Sequence, residues 1–161
     1  MLFIMQSMSV ILINGDVVMI TIQDLQELYE KQYNKRNEIQ ARLRKAACEL
    51  ICNYRQSLDV NEEYISVGYL TYTSFIKTPV ENIEMNEHNA LCFILSTLLD
   101  PLNPEDSNIS IQIALREIKG GDIEVIINGD QETVVLADEG SNRYSITVIA
   151  IKTAVMNEIT R

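Results

Sequence analysis

Between Ile22 and Leu58 the chain contains neither glycine nor proline, so nothing in that stretch interrupts a helix. Its apolar residues keep a helical period: Ile22, Leu25, Tyr29, Ile39, Leu43, Ala46 and Leu50 fall on one stripe at three- and four-residue spacing. Thr21 is placed as an N-cap, and Asp24 three residues on gives a weaker form of the capping box. The expectation is a single helix over about 22–58. A helix of this length needs a partner along it. Two antiparallel copies of the chain, or a hinge near Ser57-Leu58-Asp59, would supply one, and dimerisation is the preferred account.

Beyond Asp59 the period changes to two. Ile65, Val67 and Tyr69 alternate in a strand over about 64–70. Residues 71–89, with Pro79 and an acidic run from Glu81 to Glu87, read as an exposed connection. Residues 90–99 fit either a short helix or a strand. Strand is chosen, with Leu91, Phe93 and Leu95 on one side and Cys92, Ile94 and Ser96 on the other. Asp100-Pro101-Leu102-Asn103-Pro104 makes a rigid loop.

Ile109, Ile111, Ile113 and Leu115 then alternate with Ser110, Gln112, Ala114 and Arg116 as a half-buried strand. Gly120-Gly121 is expected as a two-residue hairpin turn. Strands follow at Ile123–Ile127 and Thr133–Ala137, separated by a turn at Gly129-Asp130. Tyr144, Val148, Ile151, Val155 and Ile159 form a last helical stripe, although the β-branched run from Ile146 to Ile149 keeps a strand reading open. The fold class is therefore α+β: a long N-terminal helix, an antiparallel sheet of about five strands, and a C-terminal helix. Residues 19–161 form the domain. Residues 1–18 are expected to be an upstream extension or a dispensable strand, since Met19 begins a natural-looking start.

Charge narrows the function classes. Thirteen Lys and Arg stand against 23 Asp and Glu, a net charge of −10. Whole-surface binding to nucleic acid or to an anionic membrane needs a basic footprint that this chain lacks. The three cysteines, Cys48, Cys52 and Cys92, suit a reducing cytoplasm as small apolar residues. The one histidine, His88, sits in a polar stretch and recruits neither a metal set nor a nucleophile triad. The acidic pairs Glu62-Glu63, Glu105-Asp106 and Asp138-Glu139 fall in loops, where solvated turns outnumber acid/base pairs. No cofactor loop is present in the sequence, so the reading is a non-enzyme.

Against this acidic background residues 31–45 carry six basic residues and one acidic residue, whereas residues 56–161 carry six and 17. Lys31, Lys35, Glu38, Arg42 and Lys45 follow helical spacing and are expected to face water. Arg36 does not: it falls within the apolar stripe and must be paired with a partner carboxylate or an anionic ligand. Tyr33 beside it offers a ring. Arg116 ends a strand face of Ser110, Gln112 and Ala114, which suits either solvent or a ligand platform. Phe93 is either a core aromatic or a stacking surface for a base, with Asn103 offering an amide edge from the following loop.

The order of a long helix, LCFILSTLLDPLNP, SNISIQIALREIKGGDIEVIING and YSITVIAIKTAVMNEI resembles the phage-encoded Thoeris anti-defence sponges of the first type. That resemblance covers most of residues 20–161 and rests on element order. It implies a small oligomeric protein that binds cyclic ADP-ribose isomers without altering them and so silences a bacterial defence. It also implies a helix arginine and a sheet arginine on the ligand's phosphates, with an aromatic and an asparagine near base and ribose. By element, Arg36, Arg116, Phe93 and Asn103 match those roles. The alternatives are an acidic interaction module docking on a basic protein partner, and a divergent hydrolase.

Overall fold

The computed structural model describes residues 9–13, 16–138 and 140–161; what is expected of residues 1–8, 14–15 and 139 lies outside them. The chain divides into two compact units, residues 1–38 and 39–161. The division falls inside the long helix, whereas the sequence reading puts a boundary at 18/19.

In the first unit, β1 (Ser9–Ile13) and β2 (Asp16–Ile20) pair antiparallel, with Ser9 opposite Ile20 and Ile13 opposite Asp16. Helix α1 (Ile22–Leu58) begins immediately afterwards. Its start is a reciprocal cap: the Thr21 N–H donates to Asp24 Oδ2 at 2.8 Å and the Asp24 N–H donates to Thr21 Oγ1 at 3.2 Å. Ile22, Leu25, Tyr29 and Tyr33 are exposed along this half of the helix. The Tyr29 and Tyr33 rings stack with centroids 6.3 Å apart.

The second unit is a six-stranded antiparallel sheet with helices on one face. Its strands are β3 (Ile65–Leu70), β4 (Phe75–Lys77), β5 (Ala90–Leu98), β6 (Asn108–Glu117), β7 (Ile123–Ile127) and β8 (Gln131–Val135), in the spatial order β4-β3-β5-β6-β7-β8. A single helical turn, α2 (Pro104–Ser107), joins β5 to β6, and α3 (Ser145–Ile159) ends the chain.

Alternation decides which side chains enter the core. Leu91, Phe93 and Leu95 on β5 stand opposite Leu115, Ile113 and Ile111 on β6, and Ile113 and Leu115 stand opposite Ile127 and Val125 on β7. All eight are buried. The α1 residues Leu43, Ala46, Ala47, Leu50 and Tyr54 and the α3 residues Val148, Ile151 and Val155 join the same core. Two polar contacts lock the helices to this inner face: Tyr54 Oη to Thr97 Oγ1, which is buried, and Thr133 Oγ1 to Thr147 Oγ1, which is partly buried, each at 2.8 Å. The β-branched run in α3 is thus helical, because the packed stripe outweighs its modest intrinsic cost.

Two expectations are corrected and a third is extended. Residues 71–89 are not simply an exposed connection, since they hold β4 and bury Val80, Ile83 and Met85. Irregular backbone supports that burial: Arg44 Nε donates to the Ile83 carbonyl and the Met85 N–H donates to Gln40 Oε1, each at 2.9 Å. The glycine pair at 120–121 does take positive φ, 85° and 82°. However, the turn it belongs to spans 118–122 and is closed by Ile118 N–H to the Asp122 carbonyl at 2.8 Å, so it is wider than a two-residue hairpin. Arg42 is exposed as expected, with 53% of its side chain accessible, and has a structural role besides. It grips Glu117 through two nitrogens, at 2.8 and 3.1 Å, and ties α1 to the end of β6.

Candidate functional site

The outer face of the sheet, opposite both α3 and the buried stripe of α1, is where polar and small side chains collect. Its rungs follow from the register. Ile94 stands beside Gln112, Cys92 beside Ala114 and Ile126, and Ala90 beside Arg116 and Glu124. Ala114 is small, so the middle rung sinks between its neighbours. The result is an open depression of about 360 Å³ with Leu70, Cys92, Ile94, Gln112 and Ile126 around it.

Arg116 stands on the next rung of the same face, outside the residues that line the depression. One of its nitrogens is 2.5 Å from Glu124 Oε2, and its side chain is 50% exposed. Gln112 is exposed beside the depression, and its backbone N–H is taken by the Asn128 side chain at 2.9 Å. Chemically the depression is an open, largely apolar floor with the Gln112 amide beside it, and the Arg116 guanidinium lies one rung further along the face. It offers no nucleophile apart from the exposed Cys92 thiol, whose pKa burial pushes up.

The four residues singled out from sequence do not converge within this unit. Phe93 is 3% exposed in the core. It therefore presents no stacking surface beside Arg116, which is a correction: β5 turns Phe93 to the inner face and β6 turns Arg116 to the outer one. Asn103 precedes α2 and its side chain makes no capping bond. It lies beyond the Asn108 end of β6, while Arg116 lies near the other end, eight residues or about 27 Å along the strand. Arg36 belongs to the first unit, is partly buried on α1, and is not without an interaction.

Two further cavities were not legible in the sequence. One of about 610 Å³ lies between α1 and the β3–β4 edge and is lined by Cys48, Ile51, Cys52, Ile65, Val67 and Val80. Burial, then the neighbouring Glu81, raises the Cys48 pKa. The other is polar and gathers Glu49, Arg143 and Tyr144. The clue to it was the four-residue spacing of Lys45, Glu49 and Asn53, but only the fold brings Arg143 to them. Among the described residues no three His, Cys, Asp or Glu side chains are grouped to hold a metal ion, and no helix is long and apolar enough to cross a membrane. His88 is exposed, 3.4 Å from Glu87.

No protein-family model, curated protein or solved structure matches this chain.

Proposed function

We propose that this chain is a non-enzymatic binding protein that sequesters a cyclic nucleotide signal of the cyclic ADP-ribose type, blocking a bacterial anti-phage defence from within the cytoplasm. The observation that carries this reading is the depression on the outer sheet face, with Arg116 on the same face one rung beyond its lining residues. An apolar floor with small side chains accepts the face of a base, and a guanidinium fork accepts a phosphate bidentately. Glu124 competes for that fork, and with its side chain only 16% exposed the pair is partly desolvated, so only a strong anion such as a phosphate displaces it. The net charge of −10 is no obstacle at contact range, because salt screens exposed charges beyond about 8 Å at physiological ionic strength.

The same reading makes the chain a homo-oligomer. Ile22, Leu25, Tyr29 and Tyr33 leave an apolar stripe open on α1. Asp24, Glu27 and Glu30 precede Lys31 and Lys35 along it, so a second, antiparallel copy meets opposite charge as well as apolar surface.

The test is to mix purified protein with cyclic ADP-ribose isomers and cyclic dinucleotides, remove unbound ligand, heat-denature, and identify what is released by mass spectrometry. An unmodified cyclic nucleotide supports the reading, and Arg116→Ala should then weaken retention at least about tenfold, the loss of one charge-assisted bond. A chemically altered product would point to an enzyme. The charge of residues 56–161, six basic against 17 acidic, favours a second reading as an acidic module for a basic protein partner. If no nucleotide is retained and a basic partner binds with steep salt dependence, that second reading replaces the first.

A further inference from the structure

The polar cluster at Glu49 is built from two separate pieces of chain. Lys45, Glu49 and Asn53 recur every four residues and share one face of α1. The segment leading into α3 faces them, bringing Ser141, Arg143 and Tyr144 to the same cavity of about 500 Å³. The Tyr144 hydroxyl donates to Glu49 Oε2 at 2.5 Å. Arg143 Nη2 donates to the same carboxylate oxygen at 3.2 Å and to the Tyr144 oxygen at 2.6 Å. The guanidinium lies over the tyrosine ring, 4.8 Å from its centroid, a stacking that also holds it in place.

This arrangement uses only part of its donors. A guanidinium serving solely as a tie commonly engages a carboxylate through two nitrogens, as Arg42 engages Glu117. Among the described residues, Nη2 makes every Arg143 hydrogen bond, and Nη1 and Nε make none. Lys45 lies four residues before Glu49 on the same helix, yet among the described residues it forms no ion pair. Among the described residues, two cations and one carboxylate line the cavity. The described lining thus carries one more positive than negative charge, in a chain whose net charge is −10.

We infer that this cavity is a second binding site, for a small molecule bearing a phosphate or carboxylate group, seated between the Lys45 ammonium and the unused edge of the Arg143 guanidinium. Glu49 and Tyr144 are positioning residues. They hold one nitrogen and the ring plane, and thereby aim the remaining N–H groups at the cavity. Burial, then the bond to Glu49, pushes the Tyr144 phenol up to about 12, so it performs this role as a neutral group. The anion enters on the side away from Glu49, whose charge would repel it. Ser141 supplies a further hydroxyl at the wall.

The experiment is a nuclear magnetic resonance titration of the isotopically labelled full chain at constant ionic strength. Inorganic phosphate and succinate serve as separate probes, and the Arg143 Nε and Lys45 Cε signals are followed. Saturable shifts at both residues are expected. A response to phosphate alone assigns the site to phosphoryl groups, and a response to succinate alone or to both assigns it to carboxylates or to anions generally. Lys45 is exposed, so Lys45→Ala folds normally and should weaken binding at least about tenfold. Arg143→Lys keeps the charge and loses the fork; a melting curve separates lost binding from lost folding. Absence of a saturable shift with either probe, or unchanged binding by Lys45→Ala, overturns the inference. Nucleotide retention at the Arg116 face is read separately, so failure of either site leaves the other standing.

Discussion

Phe93 and Arg116 lie three rungs apart on the β5–β6 ladder and point to opposite sides of it. Phe93 pairs with Ile113 in the core, 3% exposed, and Arg116 pairs with Ala90 with its side chain 50% exposed. An odd number of rungs turns a side chain over. One copy of the chain therefore cannot bring this ring and this guanidinium to the same ligand.

Phe93→Ala is accordingly a core deletion. It should cost about 3–5 kcal/mol, read as a lower midpoint in urea, while nucleotide retention per folded molecule stays unchanged. A variant of undiminished stability that no longer retains nucleotide would return the ring to the binding site.

Gly68 is present because another strand comes too close for a side chain. A Cβ there would meet the Ile76 carbonyl and the Phe75 ring, both on the adjoining β4 segment. Gly68→Ala should destabilise by about 1–3 kcal/mol through overpacking. The disturbance should be local, with amide exchange rising in Phe75–Lys77 before it rises in β6. Uniform loss of protection across the sheet would contradict this account.

Asp24 makes the start of α1 pH-dependent. Its bonds from the Thr21 backbone N–H and then the Thr21 hydroxyl lower its pKa below 3.8. A carboxylate with a depressed folded-state pKa contributes stability that is present above its unfolded pKa and is lost as pH falls through the folded one. The helix start should thus fray only in acid below the ordinary carboxylate range. Amide exchange of Ile22–Leu25 followed from neutral pH downward checks this, and Asp24→Asn should remove the acid transition. Fraying that begins near neutrality would exclude Asp24 as its cause.

Long-range pairing is what separated the legible parts of the site from the rest. The polar-outward setting of Arg116 follows from its alternation with Ile113 and Leu115, and a single strand suffices to read it. Its partner Glu124 comes from the neighbouring strand, and the depression exists only because Ala114 falls between Cys92 and Ile126. Phe93 alternates with the core residues Leu91 and Leu95, so its burial was readable too. The stacking role weighed beside it needs an exposed ring, which the same alternation denies.

Whereas 90–99 and the stripe from Tyr144 each left a second backbone open, spacing alone settled α1 with its Thr21–Asp24 cap and the alternating strands β6 and β7. In each, the spacing of apolar residues and the hydrogen-bonding period state the same thing. Only the tertiary structure decided what lies between and across them. Val80, Ile83 and Met85 follow no period, and their burial depends on donors and acceptors from α1, Arg44 and Gln40. Arg143 meets Glu49 across 94 residues of chain, and that meeting depends on which side of the sheet each helix covers. Local spacing encodes backbone geometry, whereas a cavity is defined by side chains that only packing brings together.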